Sequence, residues 1–331
     1  MMVACGVGAA DGPPSKKNPD IEQQLREIVE PETGGDPEGH SKYTRSSLRT
    51  LAGRLKLCSA KTVGRLLQGM KYSLRTNVKR LTGKPHPHRD RQYRFIQRVK
   101  AMFRRHGDPV ISVDAKKNEL IGNFKNDGKT WCLEPEEVNM YDFPSDSKGR
   151  ATPYGIYDQA ANHALVMVGV GVITAAFAVA SIRRWWEKYG YQRYTDSNHI
   201  MIECDGGGCN GHRPRLWKSE LQKFADDTGL SITVCHYPSG ASKWNPIEHR
   251  VFSQISRNWA GYPLRTLHRI LGFIGGTTTN RGLTIDAEVD PVTYEKGIKI
   301  SDSHMRSLNI TRRRFCSDLN YTIHPRKSGN S

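Results

Sequence analysis

The chain has 331 residues, of which 37% are hydrophobic and 25% charged, and its formal net charge is +17. This composition excludes an intrinsically disordered chain and suits one large globular domain with one or two small ones. The seven cysteines are scattered and include no Cys-x-x-Cys pair, which argues against a disulfide framework or a structural zinc site and favours a reducing, cytoplasmic compartment.

The excess positive charge lies in one segment, residues 41–107. This segment contains 19 of the 50 Lys and Arg residues and a single acid, Asp90, so its net charge is +18, whereas the rest of the chain has a net charge of −1. A polyphosphate partner gains free energy from such a segment through counterion release. The charge therefore favours a nucleic acid as partner, with a solvated, repulsive face or a patch for an acidic protein or a membrane as the alternatives.

The first part of the chain, residues 1–40, is rich in Gly, Pro and charged residues. It predicts a mostly flexible lead-in with one short helix at 20–29. Apolar residues at helical spacing then predict helices at 46–55 and 60–70, joined by a turn. This pattern indicates a helix-turn-helix, although a plain helical hairpin would give the same spacing. Residues 71–107 predict a basic connector that includes one further helix.

The second of these helices has a polar, basic outer face. Lys61, Thr62 and Arg65 would lie on that face, which suits the major groove of DNA. The basic residues that follow would add contacts with phosphates. We therefore predict a set of DNA-binding residues that consists of Lys61, Thr62, Arg65, Lys71, Arg75, Lys79 and Arg80.

A different pattern begins at residue 108, where short β-branched runs alternate with helical ones. The predicted order is β, β, β, α, β, α, β, α, which indicates a mixed sheet flanked by helices and hence an α/β core. A weak candidate strand at 154–158 is left out of that order. Strands are predicted at 109–114, 120–124, 164–170, 199–205 and 230–236, and helices at 174–189, 216–227 and 245–259.

One stretch, residues 164–182, contains no charged residue and has about the length of a membrane span. It includes Gly169 and Gly171 and runs directly into Arg183 and Arg184. We favour a buried strand followed by the apolar face of a helix, with a membrane span as the alternative.

Three acidic residues stand at positions where elements end or begin. Asp114 ends the first predicted strand, Asp205 ends the strand after the first core helix, and Glu248 lies in the first turn of the last core helix. Carboxylates that converge from separate elements can hold two Mg²⁺ ions about 3.5–4 Å apart and act on a phosphodiester. The pattern alone leaves simpler roles open, in turns or at a helix start, and leaves Glu203 and Asp158 as competitors.

Several motifs, in order along the chain, resemble the ISAzo13-type insertion-sequence transposases, and the similarity runs from about residue 20 to 323. The motifs are Val110-Ile-Ser-Val-Asp-Ala-Lys-Lys-Asn-Glu-Leu-Ile-Gly-Asn-Phe-Lys-Asn, Ser181-Ile-Arg-Arg-Trp-Trp, Asp205-Gly-Gly-Gly-Cys-Asn-Gly, Leu216-Trp-Lys-Ser-Glu-Leu-Gln-Lys and Ser242-Lys-Trp-Asn-Pro-Ile-Glu-His-Arg-Val-Phe-Ser.

The resemblance implies an α/β, RNase H-like catalytic domain of the DDE type, preceded by a small all-α helix-turn-helix segment. Its Asp, Asp and Glu would bind Mg²⁺, with Mn²⁺ as a substitute, and they map by motif to Asp114, Asp205 and Glu248. The 43 positions from Asp205 to Glu248 are similar to the spacing of such domains. The implied layout is a lead-in at 1–40, a DNA-binding segment at 41–107, a catalytic domain at 108–325 and a tail at 326–331.

The function implied by the resemblance is that of a bacterial insertion-sequence transposase, which cuts and joins double-stranded DNA at the element's ends and in the target. It would act as a homo-oligomer on DNA in the cytoplasm, at the nucleoid, without a membrane span. The chain departs from the family at Gly171-Val-Ile and at Ala176, and it is expected to lack an upstream helical segment that members carry. The alternatives are a truncated, catalytically silent copy that binds element ends, or a relative that acts only as a nuclease.

The residues around Glu248 predict how its helix begins. Ser242 or Asn245 is expected to cap a helix that starts near Pro246. His249 is expected at the surface, and Arg250 is expected either to reach the scissile phosphate or to pair with an acid. The inward face of the helix would consist of Ile247, Val251, Ile255 and Trp259.

Overall fold

The computed structural model describes residues 20–29, 34–35, 42–43, 46–73, 86–130 and 132–326. The chain divides into two compact units, residues 1–81 and 82–331. Three of the predicted DNA-binding residues, Arg75, Lys79 and Arg80, lie outside the described residues.

The small unit contains three helices among its described residues, α1 (Ile21–Val29), α2 (Leu48–Leu55) and α3 (Ala60–Gly69), and a short antiparallel pair, β1 (Gly34–Gly35) and β2 (Lys42–Tyr43). Helices α2 and α3 begin after serines whose hydroxyls cap them. Ser47 Oγ accepts the Thr50 N–H at 3.1 Å, and Ser59 Oγ accepts the Thr62 N–H at 3.3 Å. Both predicted helices are therefore present.

Helix α1 confirms the short helix predicted at 20–29 and forms part of the core of the small unit. Its residues Ile21, Leu25 and Val29 are four positions apart, share one face and are buried. They form one apolar cluster with residues of α2 and α3, including Leu51 and Val63. The small unit is thus a three-helix core, and a helix-turn-helix pair alone would leave part of this surface uncovered.

The strands described in the large unit form one nine-stranded sheet in the order β10-β11-β8-β7-β3-β5-β6-β9, with β4 paired to β5. Strands β3, β7 and β8 are parallel, whereas β5 is antiparallel to both β3 and β6, and β11 is antiparallel to β8. The strands are β3 (Val110–Ala115), β4 (Glu119–Ile121), β5 (Gly149–Asp158), β6 (His163–Gly169), β7 (His199–Asp205), β8 (Ser231–Tyr237), β9 (Thr284–Asp290), β10 (Ile310–Arg312) and β11 (Asn320–Ile323).

Helices cover both faces of this sheet. On one face, α5 (Ala175–Trp185) and α7 (Arg215–Thr228) pack in one apolar cluster. Helix α5 continues through a π turn (Trp186–Gly190) into α6 (Tyr191–Arg193). Among the described residues, three helices lie on the other face: α4 (Arg89–His106), a helix at residues 246–258 and α9 (Leu267–Gly275). We call the helix at 246–258 the Glu248 helix. It consists of a first turn, a π segment (Glu248–Phe252) and α8 (Ser253–Asn258). A further short helix is α10 (Asp302–Ser307).

The predicted fold class, a mixed α/β sheet flanked by helices, is confirmed. The uncharged stretch at 164–182 forms most of β6 and the first part of α5, and most side chains of these two elements are buried, whereas Val170 and Val172 between them are exposed. Among the residues described, none of the helices has the length and apolar character that crossing a membrane requires. The weak candidate at 154–158 is part of the ten-residue strand β5, which pairs with both β3 and β6.

Helix α4 lies in the large unit, although the sequence grouped it with the basic segment 41–107. Its Ile96, Val99 and Phe103 pack against Val110 and Met201 of the sheet. The two compact units meet in the chain between residues 81 and 82, so α4 belongs to the unit that contains the sheet. In consequence, 8 of the 19 basic residues of that segment belong to the large unit.

Candidate active site

Asp114 and Asp205 lie side by side at one edge of the sheet. In the parallel register of β3 and β7, Val113 pairs with Cys204, so the two acids follow on adjacent strands. Adjacent strands are about 4.8 Å apart, and every second side chain points to the same face. Because Ser112 lies two positions before Asp114, it marks that face, over which the Glu248 helix packs.

Two buried polar side chains attach the start of the Glu248 helix to β3. Ser112 Oγ donates a hydrogen bond to Asn245 Oδ1 at 2.5 Å and accepts one from the Ile247 N–H at 3.0 Å. Asn245 Nδ2 donates to the Val113 carbonyl at 3.1 Å. These bonds place Glu248 beside the end of β3.

This arrangement corrects the expected helix cap. The helix does start at Pro246, but the side chain of Asn245 bonds to β3, and the first turn is capped by Ser112 from the sheet. The physical reason is burial, since Asn245 is 0% exposed and its amide must find partners within the protein. Sequence reasoning missed Ser112, although a hydroxyl within a run of β-branched residues was a usable signal.

Asp114 and Asp205 lie close enough to Glu248 for its charge to raise the pKa of both aspartates. Burial, and then the negative charges of Asp205 and Glu248, raise the pKa of Asp114 to about 8. A hydrogen bond between the Asp114 and Glu248 side chains acts in the same direction, whereas the Ala115 N–H, which donates to Asp114 Oδ1 at 2.8 Å, lowers this pKa. Burial and the charge of Glu248 also raise the pKa of Asp205, to about 6, whereas a hydrogen bond from the Asn245 side chain lowers it.

The loop after Asp205 is held by two histidines. The Nδ1 of His236 donates to the Asp205 carbonyl at 3.1 Å, and the Nδ1 of His212 donates to the Gly206 carbonyl at 2.9 Å. Burial lowers the pKa of His236 to about 3, so its ring is neutral. A Cβ atom at Gly206 would lie 3.0 Å from the Tyr237 carbonyl, which gives this glycine a packing role. Sequence reasoning missed both histidines.

The two competing acids have partners elsewhere. Glu203 is buried and forms an ion pair with Lys100 of α4 at 2.8 Å. Asp158 pairs in register with Ile111 at the start of β3, and therefore lies at the opposite end of that strand from Asp114. Its carboxylate accepts from the Tyr194 hydroxyl at 2.9 Å.

The donor set can be tested against a divalent metal. Among residues 20–29, 46–73, 86–130 and 132–326, no three His, Cys, Asp or Glu side chains are arranged to hold a metal ion together. Mg²⁺, however, is usually held by one or two carboxylates together with water and substrate phosphates. Asp205 Oδ1 is buried and has no hydrogen-bond partner in the described part of the chain. An unpartnered carboxylate oxygen beside two further carboxyl groups fits such an ion.

The remaining predicted residues have simple placements. The exposed ring of His249 bonds to the Lys243 carbonyl, in agreement with a surface role. Arg250 is exposed and forms no ion pair with an acid in the described ranges, so the expected pairing is not found. The inward residues of the Glu248 helix are buried as predicted, and they are Ile247, Val251, Ile255 and Trp259.

The described DNA-binding candidates all lie in the small unit. Lys61 and Arg65 are exposed on α3, and Lys71 is exposed just after it with a φ of 67°. The hydroxyl of Thr62 is half-buried and lies 3.1 Å from Ser59 Oγ at the helix cap.

Solved structures with some similarity to this chain include a Mos1 transposase paired-end complex with the left transposon end, at 10% identity and a TM-score of 0.41, covering 80% of this chain and 72% of that chain. Another is the mariner Mos1 paired-end complex with Mg, at 13% identity and a TM-score of 0.40, covering 81% and 73%. Likenesses this distant support no conclusion about this chain. No curated protein matches it.

The family comparison is decisive. The model of the Rhodopirellula transposase DDE domain matches residues 24–325, which cover most of both units and include all three acids of the site. The chain therefore belongs to this DDE transposase family, and it is an enzyme, a polynucleotidyl transferase of the DDE type.

Proposed function

We propose that this transposase cleaves and transfers DNA strands at the ends of a bacterial insertion sequence in a Mg²⁺-dependent reaction, with Asp114, Asp205 and Glu248 as its metal-binding and catalytic residues. The observation that carries the proposal is the mutual repulsion of the three carboxyl groups, which helps to raise the pKa of Asp114 to about 8. Carboxyl groups this close repel one another when they are ionised, so the cluster is stable only when a cation or a proton neutralises part of its charge.

Each residue has a distinct task in this proposal. When bound, a pair of Mg²⁺ ions, which Mn²⁺ could replace, stabilises negative charge on the attacking and leaving oxygens of the phosphodiester. Asp114 and Glu248 would give up the hydrogen between them and present their oxygens, while Ser112 and Asn245 keep the Glu248 helix in place. Water would attack the phosphodiester at the element's end, and the freed 3′-hydroxyl would then attack target DNA.

The partners follow from the same proposal. Double-stranded DNA would bind as element end and as target, and the chain would act as a homo-oligomer that brings two ends together at the nucleoid. The basic residues of α3, Lys61 and Arg65, are exposed and available to contact DNA.

The position of the third carboxylate can be tested by exchanging two neighbours. The double variant Glu248→His/His249→Glu moves the carboxylate one residue along the helix and rotates it by about 100°. We expect metal-dependent cleavage of element-end DNA to fall by at least about 10²–10³-fold, the scale of losing one group that stabilises charge in the transition state. The melting temperature should change little, because His249 is exposed and Glu248 half-buried.

The matched control is His249→Glu alone, which keeps Glu248 and should keep its activity. Cleavage by the exchanged variant at the wild-type rate would exclude Glu248 as the third ligand. If the wild type binds end DNA but cleaves nothing with Mg²⁺ or Mn²⁺, the chain is the catalytically silent copy.

The small unit gives a second test, of end recognition. Lys61→Ala and Arg65→Ala should each weaken binding to element-end DNA by about 10-fold, with lost discrimination between sequences if the side chain reads bases. Arg26→Ala, an exposed residue of α1 with the same change in charge, is the control. Fluorescence anisotropy on labelled end DNA and on a scrambled duplex measures both effects, and equal affinities for all three variants would argue against α3 as the recognition helix.

A further inference from the structure

Helix α4 carries an exposed stripe of arginines that the small unit does not include. Arg91, Arg94 and Arg98 are spaced three and four residues apart, so they share one face of the helix, and all three are exposed. We call them the α4 arginine stripe. The single acid of the helix is Asp90, and none of the three guanidinium groups forms a hydrogen bond or an ion pair with another residue of the described chain.

The inner face of α4 is attached to the catalytic sheet by buried polar contacts. Gln92 Nε2 donates to the His236 carbonyl at 3.0 Å and to Asn320 Oδ1 at 2.8 Å. Farther along the helix, Lys100 pairs with Glu203. These contacts orient the stripe rigidly with respect to β7 and β8, the strands that lead to Asp205 and its loop.

The N-terminal half of α4 contacts Trp244, which lies just before the Glu248 helix. The ring of Tyr93 contacts that of Trp244 at 5.0 Å between centroids, and the guanidinium of Arg89 lies 4.6 Å from the centre of the same ring. Trp244 directly precedes Asn245 at the start of the Glu248 helix. A polyanion that lay along the stripe would therefore approach the carboxyl site from the β7–β8 side.

Contacts within the protein account for only part of this stripe. Like charges three or four residues apart repel one another, and cations near a helix N-terminus, such as Arg91, oppose the helix dipole. The basic residues at the C-terminal end, Arg104 and Arg105, are favourable for that dipole and need no further reason. Arg91 has one compensating contact, because its guanidinium lies 4.5 Å from the centre of the Phe315 ring. Arg94 and Arg98 have no such contact in the described part of the chain, which is expected of a surface that serves a partner.

We propose that the α4 arginine stripe is a second DNA-binding surface, which holds the phosphate backbone of duplex DNA next to the carboxyl site without reading its sequence. Seven residues of helix span about 10.5 Å, close to the rise of three base pairs at about 3.4 Å each. Guanidinium groups suit phosphate because they donate in a planar fork. The inference rests on the proposed function only in taking DNA as the substrate.

The test uses the full chain with Arg91→Gln, Arg94→Gln and Arg98→Gln combined. Binding to a labelled random-sequence duplex is measured with EDTA present, at several salt concentrations. We expect affinity to fall by about 10-fold or more near 0.1 M salt, and the slope of log affinity against log salt to decrease by about 2 to 3. The melting temperature should change little, because the relieved repulsion offsets the loss of the contact between Arg91 and Phe315.

The control removes the same charge from the other face of the sheet, with Gln in place of Arg183, Arg184 and Arg215, which pair with Asp227, Glu288 and Asp302. Its affinity and salt slope should stay near those of the wild type. An unchanged affinity of the stripe variant, or an equal loss in the control, would overturn the proposal. Because binding is measured without metal, a wild type that binds through the stripe but cuts no DNA would contradict the proposed reaction alone.

Discussion

Asp205→Asn is expected to reduce metal-dependent DNA cleavage by at least about 10³-fold while leaving the protein folded. The amide keeps the shape of the carboxyl group but lacks the negative charge that a hard divalent ion prefers. Folding should survive, because burial and Glu248 already raise the pKa of Asp205 to about 6, so a neutral side chain removes repulsion at this position. Rates of end cleavage in Mg²⁺ and in Mn²⁺, together with a thermal melt, measure both effects.

The matched control is Asp290→Asn. Asp290 ends β9, which runs parallel to β6, so the substitution places the same amide at another strand end of the sheet. Its carboxylate accepts from the Val292 N–H and the Tyr294 hydroxyl, and we expect near wild-type cleavage. If Asp205→Asn cleaved DNA at the wild-type rate, the metal-binding role would pass to Glu203, despite its pairing with Lys100.

Asp114→Asn is expected to raise the free energy of unfolding of the metal-free protein at pH 8 by about 2 kcal/mol or more, while abolishing cleavage. The folded pKa of Asp114, about 8, is above its ordinary value of 3.8. The folded state therefore holds a proton that the unfolded chain has released. The associated stability is complete below about pH 4 and is lost as the pH rises through about 8.

Thermal melts from pH 5 to 9 in EDTA would check this prediction. The wild type should lose stability across that range more steeply than Asp114→Asn. Added Mg²⁺ should stabilise the wild type most at the high end, since binding requires the ionised carboxylates, and should stabilise the variant much less. Parallel pH profiles for the two proteins would show that Asp114 is not the proton-binding group of the site.

The acids of the candidate site could be predicted because their signals are local. Asp114 and Asp205 each end an apolar β-branched run, and Glu248 follows a proline that can start a helix. Strand β5 was underestimated for the opposite reason, since it contains Gly155 and Pro153, which argue against a central strand. Its position is set by pairing with β3 and β6, which no local pattern contains.

Tertiary contacts also explain the other differences. Helix α4 was assigned by charge to the DNA-binding segment, but its inner face, through Ile96 and Gln92, belongs to the catalytic sheet. Asn245 was expected to serve its own helix, whereas a distant hydroxyl, that of Ser112, provides the cap. In each case the local sequence pattern predicted the helix correctly but contained no information about the distant residues that contact it.

The bond between Ser112 and Asn245 has a consequence for the order of folding. It joins residues 133 positions apart, and closing a loop of that length costs about 4 kcal/mol in chain entropy. That loop can close in steps, because β7 and β8 first pair beside β3 and the Glu248 helix then docks by burying Ile247 and Val251 against the sheet. Glu248 joins the two aspartates only when that helix docks. A nascent or partly folded chain therefore has no assembled set of carboxylates. We expect the capacity to cut DNA to arise together with the last cooperative step of folding, so that incomplete chains released from the ribosome are harmless to the genome.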